Sequence, residues 1–397
     1  MPAESRLLNF EGLHQPVKLS DCNELIPHLP VVFPGWEITA APETAIDPVL
    51  TLYRADDGYR LEGYWIDATL RRRDEVDALC ALAAEVMRAY GRQDDRLLCL
   101  HGAAAEFGGR LVVFPNQYRA GKSILSAVLA ACGSRLYCDD ILPIDLADGE
   151  GIAPGLAPRL RLPLPHNLAP ESRRFIDSRV VLRGTNYAYL ELDRDAMAER
   201  GEQAPPGAFV LLERQEGAVA ALEPIGEAEL LAQVIWQNFA REAEAPVILD
   251  ALNRLVSGAQ RFRLRYERAE DAAALLQQEF ATWPETAAGE PAKSARPAGV
   301  AANDDEIPAG CYRQAPGIEV IEVDGDSFLA DRDGAAIHRL NAVGSAIWGL
   351  LREPIAADEI VDLLLQAFPG LDAGQVEKDV GELLEQLRRK HLLQFRG

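Results

Sequence analysis

Residues 97–140 read LLCLHGAAAEFGGRLVVFPNQYRAGKSILSAVLAACGSRLYCDD, and this stretch decides the fold class. Leu111-Val112-Val113-Phe114, a short β-branched apolar run behind a Gly-Gly turn, predicts a buried strand. A polar loop over 115–120 runs into Gly121-Lys122-Ser123. Leu125, Val128 and Leu129 then fall on one face of a helix over 124–131, which Gly133 ends. Leu136-Tyr137-Cys138 predicts a second short strand, and Asp139-Asp140 closes the stretch.

Strand, loop, helix, strand and acidic pair is the order that triphosphate binding needs. A helix start offers free N–H groups and the positive end of its dipole to phosphate. The candidate ATP cradle is Asn116, Gln117, Tyr118, Arg119, Ala120, Gly121, Lys122, Ser123 and Ile124. Lys122 reaches the terminal phosphates and the Ser123 hydroxyl holds Mg²⁺. Asp140 is the second candidate metal residue. One of Asp139 and Asp140 accepts a proton from a nucleophile while the other positions metal or water. The choice between them stays open, because adjacent carboxylates titrate as a unit. The phosphate-loop pattern is incomplete. Asn116 stands at its first Gly, though Asn tolerates left-handed backbone better than most residues, and Arg119 stands where many such loops carry another Gly. On these residues alone, an ordinary strand–turn–helix with a surface lysine is the alternative.

His101-Gly102 before the loop strand, Gly121-Lys122-Ser123 and Asp139-Asp140 are in the register of the HPr kinase/phosphorylase catalytic domain, which the chain resembles over roughly residues 95–240. The resemblance implies an α/β fold with a P-loop, ATP and Mg²⁺ as cofactors, and a catalytic set of His101, Lys122, Asp139 and Asp140. In that set His101 orients a carboxylate or a phosphate.

The chain has 397 residues and a net charge of −22. Its length suits two or three domains. The charge argues against nucleic acid or an anionic membrane as partner. Six scattered cysteines without CxxC spacing predict buried free thiols rather than zinc or disulfides. No secretory signal pattern or membrane-length apolar run is present, so the reading is cytoplasmic.

In chain order, residues 1–70 read as β-rich, with strands at 31–33, 36–39, 49–54 and 59–66 and with Trp36, Tyr53 and Trp65 in the core. Residues 74–90 predict an amphipathic helix. Arg71-Arg72-Arg73 before it reads as a solvated run in preference to a phosphate site. The Pro-rich stretch 154–165 carries Arg159 and Arg161, which either contact substrate or transferred phosphate or face solvent. Strands follow around 180–192 and 209–213. Helices at 227–240, 245–257 and 270–281 are expected to cover the sheet. Residues 284–308 read as a flexible linker of Pro, Ala, Gly and charge. The expected layout is a β-rich part over 1–95, a kinase-like domain over 96–283, the linker, and a small α+β domain over 309–397.

That last domain opens with strands at 318–323 and 327–330 joined by an Asp324-Gly325 hairpin turn, and a further strand starts at 335–337. Helices are expected at 342–351, 357–368 and 375–390, then a strand at 392–395. Pro316-Gly317, Leu340-Asn341 with Val343-Gly344 and Ile347-Trp348, and Asp379-Val380 make it similar to the PqqD family. This implies a winged-helix-like module that binds the leader of a precursor peptide by strand addition. A DNA-binding winged helix fits poorly, because Glu377, Asp379, Glu382 and Glu385 line its last helix.

Together the two resemblances imply an ATP-dependent kinase acting on a Ser or Thr hydroxyl of a ribosomally made precursor peptide. Two alternatives stand beside it: an ATP-dependent peptide-activating enzyme, and a non-catalytic leader-peptide adaptor whose variant loop no longer binds nucleotide.

Overall fold

The computed structural model describes residues 4–42, 47–66, 70–115, 120–239, 243–283, 296–297, 307–331, 336–368 and 370–397. The loop residues Asn116, Gln117, Tyr118 and Arg119 lie outside the described residues, as does most of the expected linker. The chain is a mixed α/β protein that groups into two compact units. The first holds Met1–Ile225, Trp236–Glu242 and Gly258–Gly289, and the second holds Gly226–Ile235, Ala243–Ser257 and Glu290–Gly397. The layout therefore differs from the expected one. Most of the helix Glu227–Gln237 and all of the helix Ala245–Ser257 group with the C-terminal residues. The apolar faces of these helices were legible, but the sheet that Ala245–Ser257 covers was not. Ala245–Ser257 contacts strands Ile318–Val323 and Asp326–Asp331.

In the first unit, a six-stranded sheet runs Ile38–Ala40, Ser5–Phe10, Val17–Ser20, Leu50–Ala55, Gly58–Gly63, Leu70–Arg72. The helix Glu75–Arg92 buries Val76, Leu79, Leu82 and Val86 against it. Asp74 caps that helix, its side chain accepting the Asp77 N–H at 2.8 Å, an interaction of about 1 kcal/mol. Val31-Val32-Phe33, expected as a strand, instead falls in and just after a short helix, Leu29–Val32, which Phe33 caps. Pro30 fits the first helical turn, where its missing N–H costs nothing, and this outweighs the β-branched residues.

The second sheet runs Arg135–Cys138, Ala103–Phe107, Arg110–Phe114, Pro206–Arg214, Gln260–Tyr266, Ala221–Pro224. Arg110–Phe114, Pro206–Arg214 and Gln260–Tyr266 are parallel, as strands joined by helical crossovers are. Gly108 and Gly109 (φ +54° and +79°) make the two-residue hairpin from Ala103–Phe107 into Arg110–Phe114. The alanine-rich strand Ala103–Phe107 carried no propensity signal; its small side chains are buried against the helix Lys122–Ala131. That helix buries Leu125, Val128 and Leu129 completely, each worth about 1.5–3 kcal/mol. It ends at Gly133 (φ +84°), with the Ser134 N–H reaching the Leu129 carbonyl.

Two smaller sheets complete this unit. One runs Gln203–Ala204, Gly151–Ile152, Ile141–Asp145, Leu97–His101, and the other Arg159–Arg161, Tyr187–Leu190, Val180–Arg183. A helix absent from the sequence reading, Pro170–Arg179, lies between Arg159–Arg161 and Val180–Arg183 in sequence; it buries only Ser172 and Ile176, too few for a visible stripe.

In the second unit a sheet runs Arg296–Pro297, Ile318–Val323, Asp326–Asp331, Ile337–Leu340. Asp324 and Gly325 (φ +49° and +86°) form the expected hairpin turn. Residues 296–297, inside the stretch read as linker, pair with Glu319 and Val320. Helices Ala342–Leu350, Ala357–Ala367 and Ala373–Arg389 pack with a three-stranded sheet of Ile355–Ala356, Cys311–Gln314 and Leu393–Phe395 around Ile347, Trp348, Leu384 and Leu387. All six cysteines are free; four are buried as expected, whereas Cys132 is exposed and Cys311 partly so. Among the described residues no helix is long and apolar enough to cross a membrane.

Candidate functional site

Register builds the site. Strand Ile141–Asp145 pairs with Leu97–His101 so that Ile141 lies opposite His101. This brings Asp140, one residue before Ile141, beside the imidazole, with His101 Nε2 and Asp140 Oδ1 2.9 Å apart. Gly102 lets the strand ends close up. Its N–H donates to the Asp140 carbonyl at 2.9 Å, and an added Cβ would lie 3.1 Å from the Phe114 carbonyl oxygen. The His-Gly pair thus has a packing reason as well as a chemical one.

Gly121 takes the left-handed conformation (φ +99°) just before the helix Lys122–Ala131. A Cβ there would sit 2.6 Å from the Tyr266 hydroxyl, so only glycine turns the chain at this point. Lys122 opens the helix, Ser123 and Ile124 follow, and Ala120 precedes the turn. Lys122 is 93 % buried by its 7 % residual exposure. Burial pushes its ammonium pKa down, and the charges of Asp140 and Asp139 oppose that shift.

Arg159 joins the pieces. Its backbone N–H donates to Asp139 Oδ2 at 2.9 Å and its Nη2 to Asp140 Oδ2 at 2.8 Å. The acidic pair splits accordingly. Burial, then the neighbouring Asp140 charge, pushes the Asp139 carboxyl up. Burial also works against ionised Asp140, but the His101 hydrogen bond and the Arg159 charge outweigh it and hold Asp140 below the usual carboxylate range. The guanidinium of Arg159 is correspondingly raised by Asp140 despite its own burial. The structure thus brings together His101, Lys122, Asp139, Asp140 and Arg159. Arg161, two residues on, turns to Tyr187, donating from Nη2 to its Oη at 2.8 Å.

The arrangement offers a helix start with a lysine for an oxyanion, next to a fixed ionised carboxylate. No group of three or more metal-ligating side chains occurs among the described residues. Mg²⁺ bound through nucleotide phosphates needs fewer, and a Ser hydroxyl with one carboxylate matches its usual protein share. The chemistry of Ser123 and Asp140 therefore fits the ion. Sequence reasoning missed Tyr187, which reads as one more aromatic in an apolar strand; its pairing opposite Arg161 was the signal that only the fold supplies.

The raised Asp139 pKa means that ionising this carboxyl opposes folding at neutral pH. Asp139→Asn, which keeps an oxygen for the Arg159 N–H, is expected to raise stability at pH 7 by about 1–3 kcal/mol. The sign follows from linkage: the wild type recovers this deficit as pH falls from the raised native value through the ordinary carboxylate range, so the variant's advantage shrinks to nothing there. Thermal melts of both proteins across that range check it, and an advantage independent of pH would refute the electrostatic cause.

The second unit holds a different kind of site. A groove of about 800 Å³ is lined by Val343 and Ile347 of one helix, Leu364 of the next and Phe368 just after it, and Val376 and Leu383 of the last, together with Arg339 and Asp379. Val343, Phe368 and Leu371 there are about half exposed, an apolar concentration of the kind that marks binding surfaces. Residues 327–393 match the family model of Coenzyme PQQ synthesis protein D (PqqD). A solved structure, TbiB1 in complex with the TbiA(beta) leader peptide, is similar at 29 % sequence identity, covering 21 % of this chain and 98 % of that chain with a TM-score of 0.20. No curated protein matches the chain. The C-terminal part is thus a PqqD-like domain.

Proposed function

We propose that this protein is an ATP-dependent kinase that phosphorylates a Ser or Thr hydroxyl of a ribosomally made precursor peptide, recruited through its leader by residues 309–397. The observation that carries the catalytic half is the convergence of Lys122, His101, Asp140 and Arg159 at the start of a helix that follows a parallel strand. The resemblance to HPr kinase/phosphorylase supports the same reading. The recruiting half is supported by the PqqD match and by the apolar groove. Among the described residues, strand Ile337–Leu340 forms one edge of its sheet, and its residues Arg339 and Leu340 line the groove. A leader strand added there would place alternate side chains in the groove.

In this reading the N–H groups at the helix start and Lys122 hold the triphosphate, and Ser123 and Asp140 would hold Mg²⁺, which neutralises phosphate charge when bound. The acceptor oxygen forms a bond to the γ-phosphorus as the bond to the β,γ-bridging oxygen breaks, and ADP leaves. Asp140, ionised and the more exposed of the pair, receives the hydroxyl proton. Asp139 is buried and acts as a positioning residue through Arg159. Tethering the peptide by its leader gives an effective concentration of roughly millimolar, so the core peptide needs little affinity of its own.

The test is to incubate the full chain with MgATP and precursor peptides encoded beside its gene, and to look for the added mass of one phosphoryl group on the peptide. A transient adenylyl or phosphoryl group consumed in a later step would favour the activating enzyme; no transfer and no nucleotide binding would leave the adaptor. The groove has its own check. Val343→Asp puts a charge on the apolar wall at a half-exposed position, and leader binding, followed by fluorescence anisotropy, is expected to weaken at least about tenfold. Unchanged affinity would place the leader elsewhere.

A further inference from the structure

In the first unit, a cavity of about 460 Å³ opens between the helix Glu75–Arg92 and the strands Arg159–Arg161 and Tyr187–Leu190. Its walls include Arg72, Arg159, Arg161, Asp77, Asn186 and Tyr187. Three arginines thus line one space in a chain whose net charge is −22. The single carboxylate in the wall is half engaged: Asp77 Oδ2 accepts from the Asn186 side-chain amide at 2.9 Å, while Oδ1 is buried without a hydrogen-bond partner among the described residues.

The arginines are held in place. Arg159 and Arg161 alternate along one strand and so share a face. Both lie against the same aromatic ring, with guanidinium carbons 4.8 Å and 5.3 Å from the Tyr187 centroid, and Arg161 also donates to the Tyr187 hydroxyl. The Arg71-Arg72-Arg73 run separates by strand alternation. Arg71 pairs with Asp57, while Arg72 lines the cavity. Planar donor forks fixed before a ligand arrives suit a carboxylate, which they meet two bonds at a time. Arg159 belongs both to this cavity and to the carboxylate pair, through its bond to Asp140.

We propose that this cavity is a recognition pocket for an acidic side chain, Asp or Glu, that flanks the modified hydroxyl in the acceptor peptide. The identity of the ligand rests on the kinase reading; the preference for a carboxylate rests on the cavity alone. The volume exceeds that of one Glu side chain, leaving room for the peptide backbone that carries it. The pocket would select among hydroxyls on a core peptide that the leader has already delivered.

The experiment uses the full chain and two small probes, N-acetyl-glutamate methylamide and its neutral isostere N-acetyl-glutamine methylamide, with binding followed by NMR. The glutamate probe is expected to bind at least about tenfold more tightly than the glutamine probe. Arg72→Gln and Arg161→Gln should each erase most of that difference, Arg72→Lys should restore part of it, and saturating MgATP should leave it in place. Equal binding of the two probes, binding of neither, or displacement by MgATP, which would make the cavity a phosphate site, overturns the proposal. The probe comparison needs only wild-type protein, so a variant that fails to fold does not decide it. The two readings also fail separately. Selective probe binding without any phosphoryl transfer would count against the kinase and keep the pocket, whereas transfer to Glu-containing and Gln-containing peptides with equal KM would do the reverse.

Discussion

Lys122→Ala is expected to weaken MgATP binding about a hundredfold or more, to the point where calorimetric titration of the full chain at millimolar nucleotide gives no usable isotherm. Lys122 is the cation at the first position of the helix, and in the kinase reading its charged bonds to phosphate would be worth about 1.5–3 kcal/mol each. The fold makes it a sensitive position. Burial already pushes its proton affinity down, and the charges of Asp139 and Asp140 are what sustain it. A triphosphate would add to that support, so binding and protonation reinforce each other. The same substitution removes one of the charges that hold Asp140 ionised. The variant should keep its fold, since the helix is anchored by Leu125, Val128 and Leu129. Wild-type protein that binds MgATP no better than the variant would end the kinase reading and leave the leader-binding adaptor.

Asp140→Asn is expected to lower phosphoryl transfer by about a thousandfold. Asn keeps the shape, and its amide can still meet His101, but it cannot take a proton or offer a charge to a metal. Its neighbour provides the control: Asp139→Asn should lose less activity, because Asp139 is buried and acts through the Arg159 backbone. Stability should move in opposite directions at the two positions. Asp140, held low by His101 and Arg159, stabilises the fold above the ordinary carboxylate range, and that contribution is lost only as pH falls through its depressed native value. Asp140→Asn therefore destabilises at neutral pH, and its deficit closes in strong acid. Single-turnover rates together with melts across pH check both halves. Equal rate losses at the two positions would mean that the pair acts as one unit and would refute the assignment of roles.

Much of the candidate site was legible in the sequence because its parts are local. A glycine turn, a lysine and a helix face lie within about three turns of chain, and the acidic pair follows a recognisable strand. The hairpin at Asp324-Gly325 and the helix end at Gly133 were legible for the same reason, since left-handed backbone favours a few residue types. The contacts that tune the site were not. Arg159 reads as one basic residue in a Pro-rich stretch until the fold sets its amide on Asp139 and its guanidinium on Asp140. The cavity joins Arg72, Asp77 and Arg161 across about ninety positions of sequence, and no local pattern reports such a meeting. The helices at 227–237 and 245–257 show the same limit. Their apolar faces predicted that they would cover a sheet, and nothing in their periodicity said which one. Val31-Val32-Phe33 failed for a different reason, with β-branched propensity giving way to the proline beside it.

The short strand Arg296–Pro297 has a consequence for stoichiometry. It occupies one edge of the C-terminal four-stranded sheet, pairing with Glu319 and Val320. Pro297 has no N–H to offer a further strand. The chain thus covers part of that edge with its own backbone, opposite two of the six residues of Ile318–Val323, which hinders edge-to-edge polymerisation there. Among the described residues the opposite edge, Ile337–Leu340, is then the side left open along its length for an incoming strand, so each domain should take up a single leader and saturate at one peptide per chain.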